Sequence, residues 1–136
     1  MRIEKRFLSY GHDLDTDISP LHAGLLHTVD FNTDFIGRDA LLEQQQKPLQ
    51  SIIASLVLNN SDAVPLGSEP VYLENEIIGK STSATFGYRV GKPIALVTLS
   101  NGDVINTLQQ NPQLNASLDI AGQRFDGTLI NGPAYN

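Results

Sequence analysis

Cysteine is absent from the 136 residues. Its absence removes disulfides, thiolate nucleophiles and Cys-based zinc sites together. Long apolar runs are missing as well. The best of them, Ser51–Leu58, falls far short of the ~20 residues a membrane helix needs. The N-terminus offers no apolar stretch that would serve as a secretory signal. Positive charge is scarce: nine Lys and Arg stand against fifteen Asp and Glu, for a net charge of −6. Such a balance repels a phosphate backbone. Nucleic acid and membrane are therefore excluded as partners, and a cytoplasmic location is the expectation. Charged residues make up only 18% and hydrophobic residues 40%, a composition that folds rather than stays disordered. The length allows one core, or one small domain with an ordered extension.

The pattern changes near Pro48. All three histidines lie before it, and turn formers are frequent after it. In the first part, Gly11 and Pro20 bracket an acidic loop that contains Asp13, Asp15 and Asp17. Leu21–Phe31 reads as a loop feeding a short strand. Arg38–Gln44 is a helix: an acidic residue in its first turn suits the helix dipole, and Pro48 stops it. The second part is β in character. Ser51–Leu58, Pro70–Leu73, Ile77–Ser83, Pro93–Leu99, Val104–Leu108, Leu114–Ile120 and Arg124–Ile130 are expected strands, with Glu74-Asn75-Glu76 as a hairpin turn. This spacing predicts a mostly β fold, a small closed antiparallel barrel or sandwich over 49–136, with an α+β extension over 1–48.

Familiar chemical signatures fail one by one. Asp13, Asp15 and Asp17 have the first spacings of a calcium loop, but Ile18 stands where the sharp turn needs Gly and Gly24 where the last ligand needs Glu. The acidic loop is assigned to solvent or to a domain contact. Gly79-Lys80-Ser81 imitates the end of a phosphate loop, yet Glu74 occupies the upstream glycine position, in a stretch that reads as strand. His22 and His27 are five apart and lack a third ligand. No catalytic or metal-binding group emerges from local sequence.

The order of motifs is more informative. Arg2-Ile3-Glu4-Lys5, Tyr10-Gly11-His12-Asp13-Leu14-Asp15 and Ser19-Pro20-Leu21-His22-Ala23-Gly24-Leu25 come first. Asp34-Phe35-Ile36-Gly37-Arg38-Asp39-Ala40-Leu41, Gly79-Lys80-Ser81-Thr82-Ser83 and Tyr88-Arg89-Val90-Gly91-Lys92-Pro93-Ile94-Ala95-Leu96 follow. In this order and spacing they resemble the glycine cleavage system T-protein (aminomethyltransferase) family and its folate-binding relatives, from residue 2 to the tail at Tyr135. Lys5 after Glu4, and Gly87-Tyr88 in place of Ser-Pro, look more like the C-terminal region of dimethylglycine and sarcosine dehydrogenases.

The resemblance implies a C-terminal piece of a tetrahydrofolate-dependent one-carbon transferase. Residues 1–48 would be the tail of the folate-binding domain and 49–136 the terminal β-barrel. The family's catalytic aspartate lies upstream of anything matched, so the isolated chain is not expected to catalyse. In the dehydrogenase branch FAD would sit in a separate upstream domain. Folate and the upstream domains of the same parent are the implied partners. By the same resemblance Glu4 is the pterin anchor, a carboxylate accepting two parallel donors from the ring edge; the plainer alternative is a surface glutamate paired with Arg2 or Lys5. Arg38 is placed to reach the carboxylate tail of folate, against an exposed arginine pairing with Asp34 or Glu43. Phe7 and Tyr10 are candidates for stacking on the pterin, and Tyr10, Tyr88 and Arg89 for lining the folate channel. The competing class is a non-catalytic module that binds folate or only packs against neighbouring domains.

Overall fold

Ile52–Leu58 forms strand β1 in the computed structural model, which describes residues 1–136, and all seven of its residues are buried. An apolar run interrupted only by Ser55, whose hydroxyl donates to Gly132 O at 2.7 Å, suits a strand covered on both faces. Ile52, Ala54, Leu56 and Leu58 belong to the main core. On the other face Val57 packs with Ile3 of the N-terminal segment and with Ile94 and Leu96 of the strand Lys92–Leu99.

The remaining strands are β2 (Pro70–Leu73), β3 (Glu76–Gly87), β4 (Lys92–Leu99), β5 (Gln113–Ile120) and β6 (Gln123–Ile130). They close into an antiparallel barrel in the order β1-β4-β3-β2-β5-β6, with β6 returning to β1. Closure leaves no unpaired strand edge. β3 extends beyond the expected Ile77–Ser83 because its C-terminal half pairs with β4 up to Gly87↔Lys92. Its register against β4 shifts between Ser81 and Ser83, so that Thr82 is an extra residue at a bulge. The Gly79-Lys80-Ser81 stretch is a strand, as its context suggested. Glycine is needed there for close approach: a Cβ on Gly79 would lie 2.1 Å from the Thr98 carbonyl oxygen of β4.

One expected strand is a helix. Gly102–Gln110 forms helix α3, and Val104, Ile105 and Leu108 are buried in the barrel's core. The Asn101 side chain caps it, accepting from the Asp103 and Val104 amides at 3.1 and 3.2 Å. The capping residue and an i, i+1, i+4 apolar spacing outweigh the β propensity of the Val-Ile pair. The N-terminal part also departs from expectation. Leu21–Phe31 feeds no strand; it holds helix α1 (Pro20–Ala23) and a 3₁₀ turn at Leu26–Thr28. Helix α2 spans Arg38–Gln45, close to its expected bounds. The segment's only β feature is an isolated Tyr10–Leu14 bridge. No helix is long and apolar enough to cross a membrane.

Candidate functional site

Residues 1–7 form a compact turn, closed by the Lys5 amide on Met1 O (3.3 Å), Arg6 on Ile3 O (3.0 Å) and Phe7 on Arg2 O (2.9 Å). Ile3 goes into the apolar cluster over β1 and β4, and this seats the turn on the barrel. Glu4, the next residue, turns its side chain into the junction between the turn and the β3–β4 connection, where only 3% of it is exposed. Its Oε1 accepts from the Arg89 amide at 2.8 Å and the Val90 amide at 3.3 Å. Its Oε2 lies 3.5 Å from the Met1 amine, and its own carbonyl accepts from the Tyr135 amide at 2.9 Å. Glu4 therefore ties together the N-terminal turn, the barrel hairpin and the C-terminal tail. Gly87 makes room for it: a Cβ there would come 3.1 Å from Oε1 and 2.5 Å from Ile94 Cδ1.

Burial on its own would raise the Glu4 carboxyl. The Arg89 and Val90 amides, helped by the terminal amine, outweigh burial and hold it below its ordinary value. Glu4 is thus an anion at neutral pH. Its surroundings also restrict what it can accept. A carboxylate offers about four acceptor positions, two on each oxygen. Two backbone amides engage Oε1, and Oε2 is the freer oxygen. The surface pairing with Arg2 or Lys5 weighed from the sequence is not formed, because the side chain points inward to the barrel amides.

Glu4 lines a cavity of about 60 Å³ together with Met1, Lys5, Arg89 and Tyr135. Lys5 Nζ and the Arg89 guanidinium lie 4.9 and 5.3 Å from the Tyr135 ring centre, within cation–π range. This hollow is well below the ~300–1,000 Å³ of a typical ligand pocket. It admits the edge of a planar ring, not a whole bicycle. A wider hollow of about 610 Å³ lies elsewhere, over β5 and β6, with Asn59, Asn115, Ser117, Arg124 and Asp126 among its lining residues.

The other candidates are scattered around this centre. Arg89 contributes its amide to Glu4 and its guanidinium to the cavity wall. Tyr88 is exposed and meets Phe86 edge-on, with ring centres 5.4 Å apart. Phe7 and Tyr10 are exposed on the N-terminal segment. Arg38 Nε donates to Phe31 O at 2.7 Å. It makes no ion pair with Asp34 or Glu43, and Glu43 is instead joined to Lys47 at 2.7 Å.

Within the acidic loop, Asp13 takes the domain-contact alternative through Thr82 of the barrel. It is not solvated: its side chain is fully buried, paired with Arg2 Nη1 at 2.8 Å and accepting from the Ser9 amide at 2.8 Å and Thr82 Oγ1 at 2.6 Å. Burial would raise its carboxyl, but the bonds from Thr82, Ser83, Ser9 and Arg2 together hold it low. Arg6 was missed. Its Nη2 donates to Ile53 O and to Ala23 O, and burial lowers its pKa from the ordinary arginine value. Neither role leaves a local signal, since the partners are up to 69 residues away.

Residues 53–136 match the family described as the glycine cleavage T-protein C-terminal barrel domain. Over 135 residues, 98% of the chain, it is 34% identical to human mitochondrial dimethylglycine dehydrogenase, of which it spans 15%. Over 134 residues, again 98% of the chain, it is 31% identical to an aminomethyltransferase of Pseudothermotoga lettingae, of which it spans 35%. The crystal structure of glycine cleavage system aminomethyltransferase T from Bartonella henselae superposes on 98% of the chain with a TM-score of 0.81 at 21% identity, and the chain covers 36% of it. The likeness extends through the N-terminal segment as well as the barrel.

Proposed function

The chain belongs to the glycine cleavage T-protein family through its C-terminal barrel domain, and from that premise we propose that it serves tetrahydrofolate-dependent one-carbon transfer. In this reading residues 1–48 are the tail of a folate-binding domain and 49–136 its terminal barrel. The aspartate that assists the chemistry, and any FAD, would be supplied by upstream domains. The observation that carries the proposal is Glu4. It is a buried, ionised carboxylate that lines a small cavity, with one oxygen fixed by the Arg89 and Val90 amides and the other 3.5 Å from the Met1 amine.

The edge of a reduced pterin presents an amino group and a ring N–H. The freer Oε2 accepts one of these directly as a charge-assisted bond. The two-pronged pairing expected from the sequence would require Oε1 to share or release its barrel amides. The fixed Oε1 thus has a function of its own, since it orients the carboxylate before the ligand arrives. Arg89 and Tyr135 would flank the ring edge. Arg38, held by Phe31 O through Nε, keeps its terminal nitrogens for the glutamate tail.

A second reading, a module that only packs against neighbouring domains, is favoured by one fact: Glu4 already satisfies the chain's own backbone. Titration of the purified chain with tetrahydrofolate, followed by intrinsic fluorescence or calorimetry, separates the two. The transferase reading expects saturable binding that Glu4→Gln weakens about tenfold, the size of one lost charge-assisted hydrogen bond. Binding that Glu4→Gln leaves unchanged would return Glu4 to a purely structural role.

A further inference from the structure

Asp13 is a buried carboxylate nine residues beyond Glu4, and the proposal above gives it no part. Its Oδ2 accepts from Arg2 Nη1 and from the Ser9 amide, both at 2.8 Å. Its Oδ1 accepts from Thr82 Oγ1 at 2.6 Å. Arg2 is in turn bound twice to Phe7: Nη1 donates to Phe7 O at 2.8 Å, and Arg2 O accepts from the Phe7 amide at 2.9 Å. Arg2 and Phe7 are the two ends of the turn whose interior holds Glu4. One carboxylate therefore fixes both the closure of that turn, through Arg2, and the exit of the chain from it, through Ser9.

The third bond attaches this assembly to the barrel at a built feature. Thr82 is the extra residue of the β3 bulge, and bulges turn a side chain away from the direction the regular ladder would give it. Here the bulge hydroxyl meets Asp13. Besides Ile3 in the cluster over β1 and β4 and Arg6 on Ile53 O, two carboxylates hold the turn and its exit to the barrel. One is Glu4 on the Arg89 and Val90 amides at the end of the hairpin. The other is Asp13 on Thr82, further back along β3. Ile3 and Arg6 seat the body of the turn, and the Asp13 bonds fix its Arg2 end, so their loss frees Arg2, two residues before Glu4, to shift the carboxylate.

We propose that Asp13 is a positioning residue, which acts through Arg2 and Thr82 to fix the direction of the Glu4 carboxylate. This rests on the reading of Glu4 as the pterin-facing group. Asp13 touches no ligand itself. Its removal therefore acts on Glu4's bonds, and its effect on folate disappears once Glu4 is gone.

Two measurements on the full chain test this. The first is hydrogen exchange at the Arg89 and Val90 amides, which report the Glu4 contact directly. In Asp13→Asn, with the charge removed, exchange at both should accelerate about tenfold or more beyond any change across Ile52–Leu58, which reports loss of global stability. A purely local role for Asp13 in the 9–14 loop would leave those two amides unchanged and would overturn the proposal. Thr82→Val removes the barrel bond alone and should give the same response at smaller amplitude. It decides the matter if Asp13→Asn fails to fold. The second is a double-mutant cycle in tetrahydrofolate affinity. Asp13→Asn should weaken binding severalfold in the wild type and have no further effect in Glu4→Gln. Equal effects in both backgrounds would contradict action through Glu4. Should the wild-type chain bind no folate, the functional proposal falls, and the exchange experiment still decides the positioning role.

Discussion

Gly79→Ala places a methyl group where the barrel has no room. The Cβ would stand 2.1 Å from the Thr98 carbonyl oxygen and 3.0 Å from Leu99 Cα, both backbone atoms of the neighbouring strand. Carbon and carbonyl oxygen approach comfortably only at about 3.3 Å, so β3 and β4 must part locally by about 1 Å. Ladder hydrogen bonds of about 2.9 Å do not survive such a displacement. Loss of two of them costs about 2 kcal/mol net. Distorting the packed strands adds about 1–2 kcal/mol more. A closed barrel cannot relieve the strain by letting an edge strand drift, and Gly79 also pairs with Val71 of β2 on its other side. The total is about 3–4 kcal/mol, which for a chain of this length lowers Tm by about 10 °C or more. Calorimetric melts of wild type and Gly79→Ala measure it. A variant melting within about 2 °C of wild type would refute the close-approach argument.

Gly102→Ala is the complementary case: a Cβ at this first residue of α3 meets nothing within 4 Å, so a gain of about 0.5–1 kcal/mol is expected in the same melts. Leu108→Ala, at a fully buried position of α3, should cost about 2–5 kcal/mol in urea unfolding; a loss below 1 kcal/mol would mean that α3 is only loosely seated. Glu69 accepts from the Leu66 and Gly67 amides and from Ser81 Oγ, and Glu69→Gln should lower stability by about 2 kcal/mol. Asp13 and Glu69 both have folded-state pKa values below their ordinary 3.8 and 4.5. Their contribution is therefore fully present above those values and is lost as pH falls through and below them. Stability should be flat from pH 7 to about 5 and decline below about 4; Asp13→Asn combined with Glu69→Gln should flatten that decline, and an unaltered acid limb would contradict the assignment.

The sequence made the barrel strands legible where a physical period was visible. Ser51–Leu58 announced itself by near-continuous hydrophobicity, and β5 by alternation, because one is covered on both faces and the other on one. Val104–Leu108 misled because five residues of mixed apolar character fit both periods. The distinguishing signal was the capping Asn101, which also resembles a turn residue. The N-terminal segment was harder for a different reason: its order comes from single long-range polar contacts, not from a repeated pattern. Asp13 among three alternating aspartates looks like a solvated loop, and only the bulge at Thr82 reveals its partner. Glu4 was singled out by resemblance, but its engagement with Arg89 and Val90, 85 and 86 residues away, lay beyond any local reading.

The role proposed for Glu4 depends on where a reduced folate sits. A crystal structure of the chain with tetrahydrofolate bound tests it most directly. The prediction is a pterin edge within hydrogen-bond distance of Glu4 Oε2, between Arg89 and Tyr135, with the Arg89 and Val90 amides still on Oε1. A pterin found instead in the large polar hollow over β5 and β6, with Glu4 untouched, would contradict it.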